Sequence, residues 1–147
     1  MKILVMHGPN LNLLGRREPH IYGSMTLADI NRKLEDVAKE LRVELSVLQS
    51  NHEGDLVDFL HQHIDSAAGA ILNPAGLTQF GVSLHDAIKT MPFPVIEVHI
   101  SNRHAREEWR HHSIISSAVK ATVEGLGWRS YTTALRALVE IVKETKK

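Results

Sequence analysis

The stretches KILVM (residues 2–6), TLADINRKLEDVAKEL (26–41) and VELSVL (43–48) follow one another in the first third of the sequence, and their order decides the fold. The first and third are short apolar or alternating runs, which are typical of strands. In the second, apolar residues recur at helical spacing, and Thr26 with Asp29 predicts a capping box at the helix start. A strand, a helix and a second strand in this order predict a parallel β–α–β unit.

The same alternation continues to the end of the sequence. It predicts further strands and helices, the strands at 70–72, 95–99 and 118–123 and the helices at 55–66, 82–90 and 130–144. Strands that alternate with helices indicate a parallel sheet covered on both faces, and right-handed crossovers leave few topologies. We therefore expect an α/β, flavodoxin-like three-layer sandwich with a five-stranded parallel sheet in the order 2-1-3-4-5, forming a single domain over residues 1–147.

The composition restricts the classes of function. Lys plus Arg equals Asp plus Glu, 17 against 17, so no broad basic surface for nucleic acid is expected, although a local group of arginines can bind a small anion. The absence of cysteine excludes disulfides and thiolate metal sites. The apolar run at 3–6 is too short for a signal peptide or a membrane span. We expect a soluble, cytoplasmic protein with no nucleic-acid or membrane partner.

Ten histidines raise the question of a metal site. Their spacing does not favour one, because His61 and His63 point to different sides of a helix, and the adjacent His111 and His112 diverge in the same way. The sequence contains no HExxH pattern. We therefore predict neither a metal nor a cofactor.

The predicted topology also locates a binding site. In open α/β sheets, ligands bind beyond the carboxyl ends of the strands where the strand order reverses, here between the first and third strands. Three segments should meet there: the loop 7–25, the segment 73–80 and the segment that begins at His99. The first loop is long and carries Gly15 and Gly23, which is typical of a hinged lid.

This loop contains Arg16, Arg17 and Tyr22, which are candidates for acid–base chemistry. A phenol is a poor base at neutral pH, but a guanidinium close to it favours the phenolate. On spacing alone, a tyrosine that only packs, with both arginines in solvent, is the favoured interpretation.

Four further residues fall where strands leave the predicted site. His99 ends the fourth strand and is either a general acid or base or a structural histidine; Glu97, on the same strand face, can orient it. Asn73 ends the third strand and is either a ligand for hydroxyl groups or a turn former. Ser101 and the backbone N–H groups near it can bind a carboxylate.

Arg106 and Arg110 lie four residues apart, on one face if the segment is helical. They suit a carboxylate clamp. The alternative is an ordinary surface network with Glu107 and Glu108.

Several segments, in register along nearly the whole sequence, resemble the type II 3-dehydroquinate dehydratases. They are GPNLNLLGRREPHIYG (8–23), QSNHEG (49–54), LNPAGLT (72–78), IEVHISNRHAREEWRHHS (96–113) and GLGWRSY (125–131). The resemblance implies a lyase without metal or cofactor that converts 3-dehydroquinate to 3-dehydroshikimate by anti elimination through an enolate. That step serves both aromatic biosynthesis and quinate breakdown.

The resemblance also implies the catalytic residues. Tyr22 is similar to the family's base, which removes a proton from C2. Arg17 matches the arginine that stabilises the phenolate and the transition state, and Arg16 does not, because the motif fixes the arginine at position 17. His99 resembles the acid that protonates the departing hydroxyl, and Asn10 the residue that holds a water against the enolate.

Five residues resemble the family's substrate-binding groups. Asn73 is similar to the residue that places the substrate and the catalytic histidine. Ile100 and Ser101 look like the carboxylate site, and Arg110 like the arginine that contacts ring hydroxyls. Asp86 resembles an acidic residue that a neighbouring subunit delivers to the site, and the resemblance implies a homo-oligomer, a dodecamer built from trimers.

Three positions depart from the family pattern: Gln79 and His7 stand where histidine and asparagine are frequent, and His85 where arginine is common. Two other functions stay open on the sequence. One is a flavodoxin-like module that binds an anion or nucleotide without catalysis, which the glycine-bearing loops favour. The other is a sister enzyme for a related cyclic hydroxy-ketone, which Gln79 keeps open.

Overall fold

A five-stranded parallel sheet forms the centre of the computed structural model, which describes all 147 residues. The strands are β1 Lys2–His7, β2 Glu44–Gln49, β3 Gly69–Asn73, β4 Val95–His99 and β5 Ala121–Glu124. The helices are α1 Pro19–Tyr22, α2 Leu27–Leu41, α3 Glu53–Gln62, α4 Leu77–Phe80, α5 Val82–Thr90 and α6 Arg129–Thr145, with 3₁₀ turns at Leu11–Leu13, Arg103–Ala105 and Glu108–Arg110. The strand order β2-β1-β3-β4-β5, parallel throughout, confirms the predicted flavodoxin-like fold.

Two hydrophobic cores lie on opposite faces of the sheet. Along β1, Ile3 and Val5 pack with α2 and α6, whereas Leu4 and Met6 pack with α3 and α5. All four side chains are fully buried. Because both faces are covered, the strand reads as a continuous apolar run rather than an alternating one.

The start of α2 has the predicted capping box. The Thr26 hydroxyl accepts a hydrogen bond from the Asp29 backbone N–H at 3.1 Å, and the Asp29 carboxylate accepts one from the Thr26 backbone N–H at 3.0 Å. This hydrogen bond from the Thr26 backbone lowers the pKa of Asp29. The reciprocal pair satisfies two N–H groups that a bare helix start leaves open.

Two predicted elements have bounds that are wrong by more than one residue. The helix expected at 55–66 runs from Glu53 to Gln62, because Glu53 and Asp55 both lie in its first turn and the backbone turns after Gln62. The strand expected at 118–123 is Ala121–Glu124. In both cases apolar residues in turns pack against the core, which extends the apolar pattern beyond the element.

The loop 7–25 is more regular than the sequence indicates, because it contains a 3₁₀ turn and the single helical turn α1. Pro19 occupies the first position of α1, where its missing N–H costs no hydrogen bond. Tyr22 ends this turn, immediately before Gly23 at φ 80°. None of the helices has both the length and the apolar character needed to cross a bilayer.

Candidate active site

A cavity of about 460 Å³, including its open mouth, lies beyond the carboxyl ends of β3 and β4 and beneath the loop that follows β1. Seven of the nine site residues implied by the resemblance line it: Arg17, Tyr22, Asn73, His99, Ile100, Ser101 and Arg110. The location predicted from the topology is therefore where the structure has its polar cavity.

Two predicted site residues do not line this cavity. Asn10 lies in the left-handed region, at φ 70°, immediately before Leu11, which does line it. Asp86 is exposed on α5, with its carboxylate 3.1 Å from Nδ1 of His85. The fold of this chain does not bring Asp86 to the cavity.

Tyr22 is contacted by two arginines. Nη1 of Arg106 donates a hydrogen bond to the phenol oxygen at 2.8 Å and lies 3.3 Å from the hydroxyl of Ser101. The guanidinium of Arg17 lies over the ring face, 4.8 Å from its centre. Arg16 is exposed and does not line the cavity. Both contacts place positive charge directly against the Tyr22 side chain.

Sequence reasoning missed the pairing of Arg106 with Tyr22. The two residues are 84 positions apart, and no local pattern connects them. Residues 106–110 do not form a continuous helix, since Arg106 has extended backbone and a 3₁₀ turn covers only Glu108–Arg110. Arg106 and Arg110 nevertheless both line the cavity.

His99 is held by a buried carboxylate on the same strand face. Its Nε2 lies 2.5 Å from Oε2 of Glu97, which is fully buried, and 3.4 Å from the hydroxyl of Thr78. The other Glu97 oxygen accepts hydrogen bonds from the hydroxyls of Ser116 at 3.1 Å and Ser113 at 3.5 Å. A buried carboxylate bonded at both oxygens fixes the imidazole and matches a positive charge on it.

Only part of the cavity's positive charge is neutralised by the protein. Arg103 and Arg110 form ion pairs with Glu124 and Glu107, each at 2.8 Å. Arg106, which donates to Tyr22, is paired less closely, since its Nε lies 3.7 Å from Oε2 of Glu107. Arg17 makes no ion pair with this chain, so its charge is available to a ligand. The surface network expected around Glu107 does form, but the arginines in it also line the site.

Gln79 presents an unused acceptor. Its Nε2 donates to the backbone oxygen of Arg110 at 3.3 Å, whereas its Oε1 is buried without a hydrogen-bond partner. Since Gln79 lines the cavity, a hydroxyl group of a ligand can satisfy this oxygen. No three histidine or acidic side chains come together to hold a metal ion.

The fold and the cavity together define a flavodoxin-like α/β enzyme whose site combines a phenol, an imidazole and arginines for an anionic substrate. The chain matches the family model for dehydroquinase class II over residues 1–139. It is 48% identical over 143 residues to the 3-dehydroquinate dehydratase of Halothermothrix orenii, covering 97% of each chain.

Two crystal structures of type II dehydroquinases are similar throughout. The enzyme from Butyrivibrio crossotus superposes with a TM-score of 0.92 at 36% identity, covering 94% of this chain and 97% of that one. The enzyme from Propionibacterium acnes does so with a TM-score of 0.91 at 42% identity, covering 95% and 96%. The chain belongs to the class II dehydroquinase family, and it is an enzyme, not a binding module without catalysis.

Proposed function

We propose that this chain removes water from 3-dehydroquinate, with Tyr22 as the base and His99 as the acid. One observation carries the proposal: a single cavity contains a phenol bonded by a guanidinium and an imidazole bonded by a buried carboxylate. A base and an acid on different loops of one cavity are what an elimination needs.

The first step is removal of the C2 proton, which is weakly acidic because C2 is next to the C3 ketone. The Tyr22 phenolate takes the proton, and the C–H electron pair forms the enolate. The charges of Arg17 and Arg106 favour the phenolate before the step and stabilise the negative charge during it. A water held by Asn10 donates to the enolate oxygen; the position of Asn10 directly before Leu11, which lines the cavity, is compatible with this role.

The second step is loss of the C1 hydroxyl. The enolate electrons form the C1–C2 double bond, the C3 ketone is restored, and the C1–O bond breaks. His99 gives its proton to the departing oxygen, which leaves as water. Glu97 supports the charged form of the imidazole before the transfer and keeps the ring in place. No electron sink is needed, so the reaction needs no cofactor.

The substrate is held by groups of complementary chemistry. The backbone at Ile100 and the hydroxyl of Ser101 bind the carboxylate, and Asn73 and Arg110 bind ring oxygens; all four residues line the cavity. The open acceptor on Gln79 takes a hydrogen bond from a ring hydroxyl, a role that needs no charge on this side chain.

Asp86 completes the site of a neighbouring subunit in the proposed homo-oligomer, a dodecamer of trimers. Its exposure on α5, and the exposure of the large apolar side chains of Phe80, just before that helix, and Val82, at its start, support a subunit contact there. The cytoplasmic location expected from the sequence remains a prediction.

The base is tested with Tyr22→Phe, which keeps the ring and removes the hydroxyl. Addition of 3-dehydroquinate to the wild-type protein should raise the ultraviolet absorbance, because the product is a conjugated enone. The variant should turn over about 10²- to 10⁴-fold more slowly while binding substrate with similar affinity. Arg17→Ala should also be slow, and Arg16→Ala is the matched control that should not be. A Tyr22→Phe variant with the wild-type rate would refute the assignment.

The neighbour's role is tested by mixing two inactive variants. Subunits with Asp86→Ala keep Tyr22, and subunits with Tyr22→Phe keep Asp86. If Asp86 acts across the contact, mixed oligomers contain sites with both groups intact and regain activity. Mixed oligomers as inactive as the two parents would show that Asp86 acts in its own subunit, and an Asp86→Ala parent with the wild-type rate would show that Asp86 has no role.

A further inference from the structure

A buried line of hydrogen bonds connects the site to the helix layer behind it. His7, at the end of β1, is fully buried, with Nε2 2.9 Å from Oδ1 of Asn31 on α2 and Nδ1 3.2 Å from the hydroxyl of Tyr131 on α6. Asn73 donates from Nδ2 to the same hydroxyl at 2.9 Å, and its Oδ1 accepts from the Ala75 backbone N–H at 3.0 Å. We call these five residues the His7 network.

The direction of every hydrogen bond in the His7 network follows from one backbone group. The Ala75 N–H can only donate, so the atom of Asn73 that faces it is the oxygen, and Nδ2 faces Tyr131. The Tyr131 oxygen then accepts, and its own proton must go to Nδ1 of His7, since Tyr131 is fully buried. Because Nδ1 of His7 accepts this proton, it carries none of its own. The proton of the neutral ring is therefore on Nε2, which donates to the Asn31 oxygen.

The alternatives leave a buried group unsatisfied. If Nδ1 carried a proton, the Tyr131 oxygen would accept twice and its hydroxyl proton would have no acceptor in the network. Protonation of both ring nitrogens creates the same conflict and adds a buried charge. Burial, which lowers the pKa of His7 from 6.5 to about 4, disfavours that state as well.

We propose that His7 is a positioning residue for the reaction: with its proton on Nε2, it orients Tyr131 and thereby fixes the Asn73 carboxamide in the site. Asn73 lines the cavity, and only one of its two N–H groups is used by Tyr131. The second N–H is available to a substrate oxygen. The inference rests on the proposed function, because it is there that Asn73 contacts substrate.

Two substitutions of His7 distinguish a positioning role in catalysis from a general contribution to the stability of the fold. His7→Asn has a polar atom near the place of Nδ1 and preserves the contact with Tyr131. His7→Gln has one near the place of Nε2 and preserves only the contact with Asn31. Each variant removes one of two hydrogen bonds, so a purely structural role predicts equal kinetic effects. Positioning predicts that only the loss of the Tyr131 contact matters.

The kinetic test measures kcat and KM for 3-dehydroquinate on the assembled protein, with melting temperatures to confirm folding. His7→Gln and Tyr131→Phe should lower kcat/KM by about tenfold, the size of one lost hydrogen bond between neutral groups. His7→Asn should stay within about threefold of wild type. Equal losses in the two His7 variants, or no loss in His7→Gln, would overturn the proposal.

A spectroscopic test does not depend on activity. Protein labelled with ¹⁵N-histidine is studied by magic-angle-spinning NMR near neutral pH, and the His7 signals are identified by their loss in His7→Asn. The expected result is a non-protonated Nδ1 and a protonated Nε2; the opposite tautomer would overturn the proposal even in an active enzyme. Wild-type protein with this tautomer but no dehydratase activity would refute the proposed function and, with it, the positioning role.

Discussion

Replacing His7 by asparagine will make the stability of the protein less sensitive to acid. His7 is fully buried and neutral, and burial lowers its pKa from 6.5 to about 4. Between these two values the unfolded chain binds a proton that the folded chain does not. The free energy of unfolding therefore falls as the pH drops from about 6.5 towards 4, and His7 destabilises the fold fully only below its folded pKa. Asparagine does not titrate, so the variant lacks this contribution.

The size of the effect follows from the two pKa values. A separation of 2.5 units corresponds to about 3 kcal/mol over the whole range. Between pH 7.5 and pH 4.5 the His7 contribution alone should lower the free energy of unfolding by about 2.5 kcal/mol. The polar contacts of His7 are Asn31 and Tyr131, and burial raises the pKa of Tyr131, so neither partner changes its charge in this window.

The assay is urea unfolding of wild type and His7→Asn at both pH values and at one fixed protein concentration. The acid-sensitive carboxyl groups, among them Asp29, Glu107 and Glu124, are present in both proteins, so the difference between the two pH slopes isolates His7. Parallel slopes would refute the reasoning, since they would mean that His7 titrates alike in the folded and unfolded states.

Three further substitutions give separate predictions. Arg106→Ala removes the donor to the phenol oxygen and should lower kcat by about 10²- to 10³-fold with a smaller change in KM; an unchanged kcat would contradict its role. Glu97→Gln keeps a hydrogen bond to His99 but removes the buried charge beside it, so kcat/KM for 3-dehydroquinate should fall by at least about tenfold, and an unchanged kcat/KM would contradict the role of Glu97. Gly8→Ala would place a Cβ 2.6 Å from a backbone carbonyl oxygen and should lower the free energy of unfolding by about 1–3 kcal/mol in urea titration, whereas Gly54→Ala, with nothing within 4 Å, should not lower it.

The centre of the sheet could be predicted from the sequence because β1, β3 and β4 are buried on both faces and therefore form continuous apolar runs. The bounds of α5 and β4 agree with the prediction, since Pro92 and Pro94 separate a helical pattern from a β-rich run. The bounds of α3 and β5 could not be predicted as well. Ile64 and Val119 pack against the core from outside these elements, and an apolar side chain does not reveal whether its backbone is regular.

In the candidate site, too, the sequence predicts some features and not others. The positions of Tyr22, His99 and Asn73 follow from the topology, which places their segments at one edge of the sheet. Glu97 was expected on the face of His99 because strand residues two apart share a face. The hydrogen-bond partners of these residues depend on contacts between distant segments. Arg106 bonds Tyr22 although the two are 84 positions apart in the sequence, and a local sequence pattern cannot predict such a pair.

The arginines show why overall charge says little about a site. The chain is neutral, yet four guanidinium groups line one cavity. Two of them, Arg103 and Arg110, are each 2.8 Å from a carboxylate, which neutralises much of their charge. The two that contact Tyr22 have the weaker pairing: Arg17 has no acidic partner in the chain, and Arg106 has one only at 3.7 Å. Because a tight partner carboxylate would neutralise their field, its absence leaves the positive charge next to the phenol, where the proposed base and its anionic substrate would both require it.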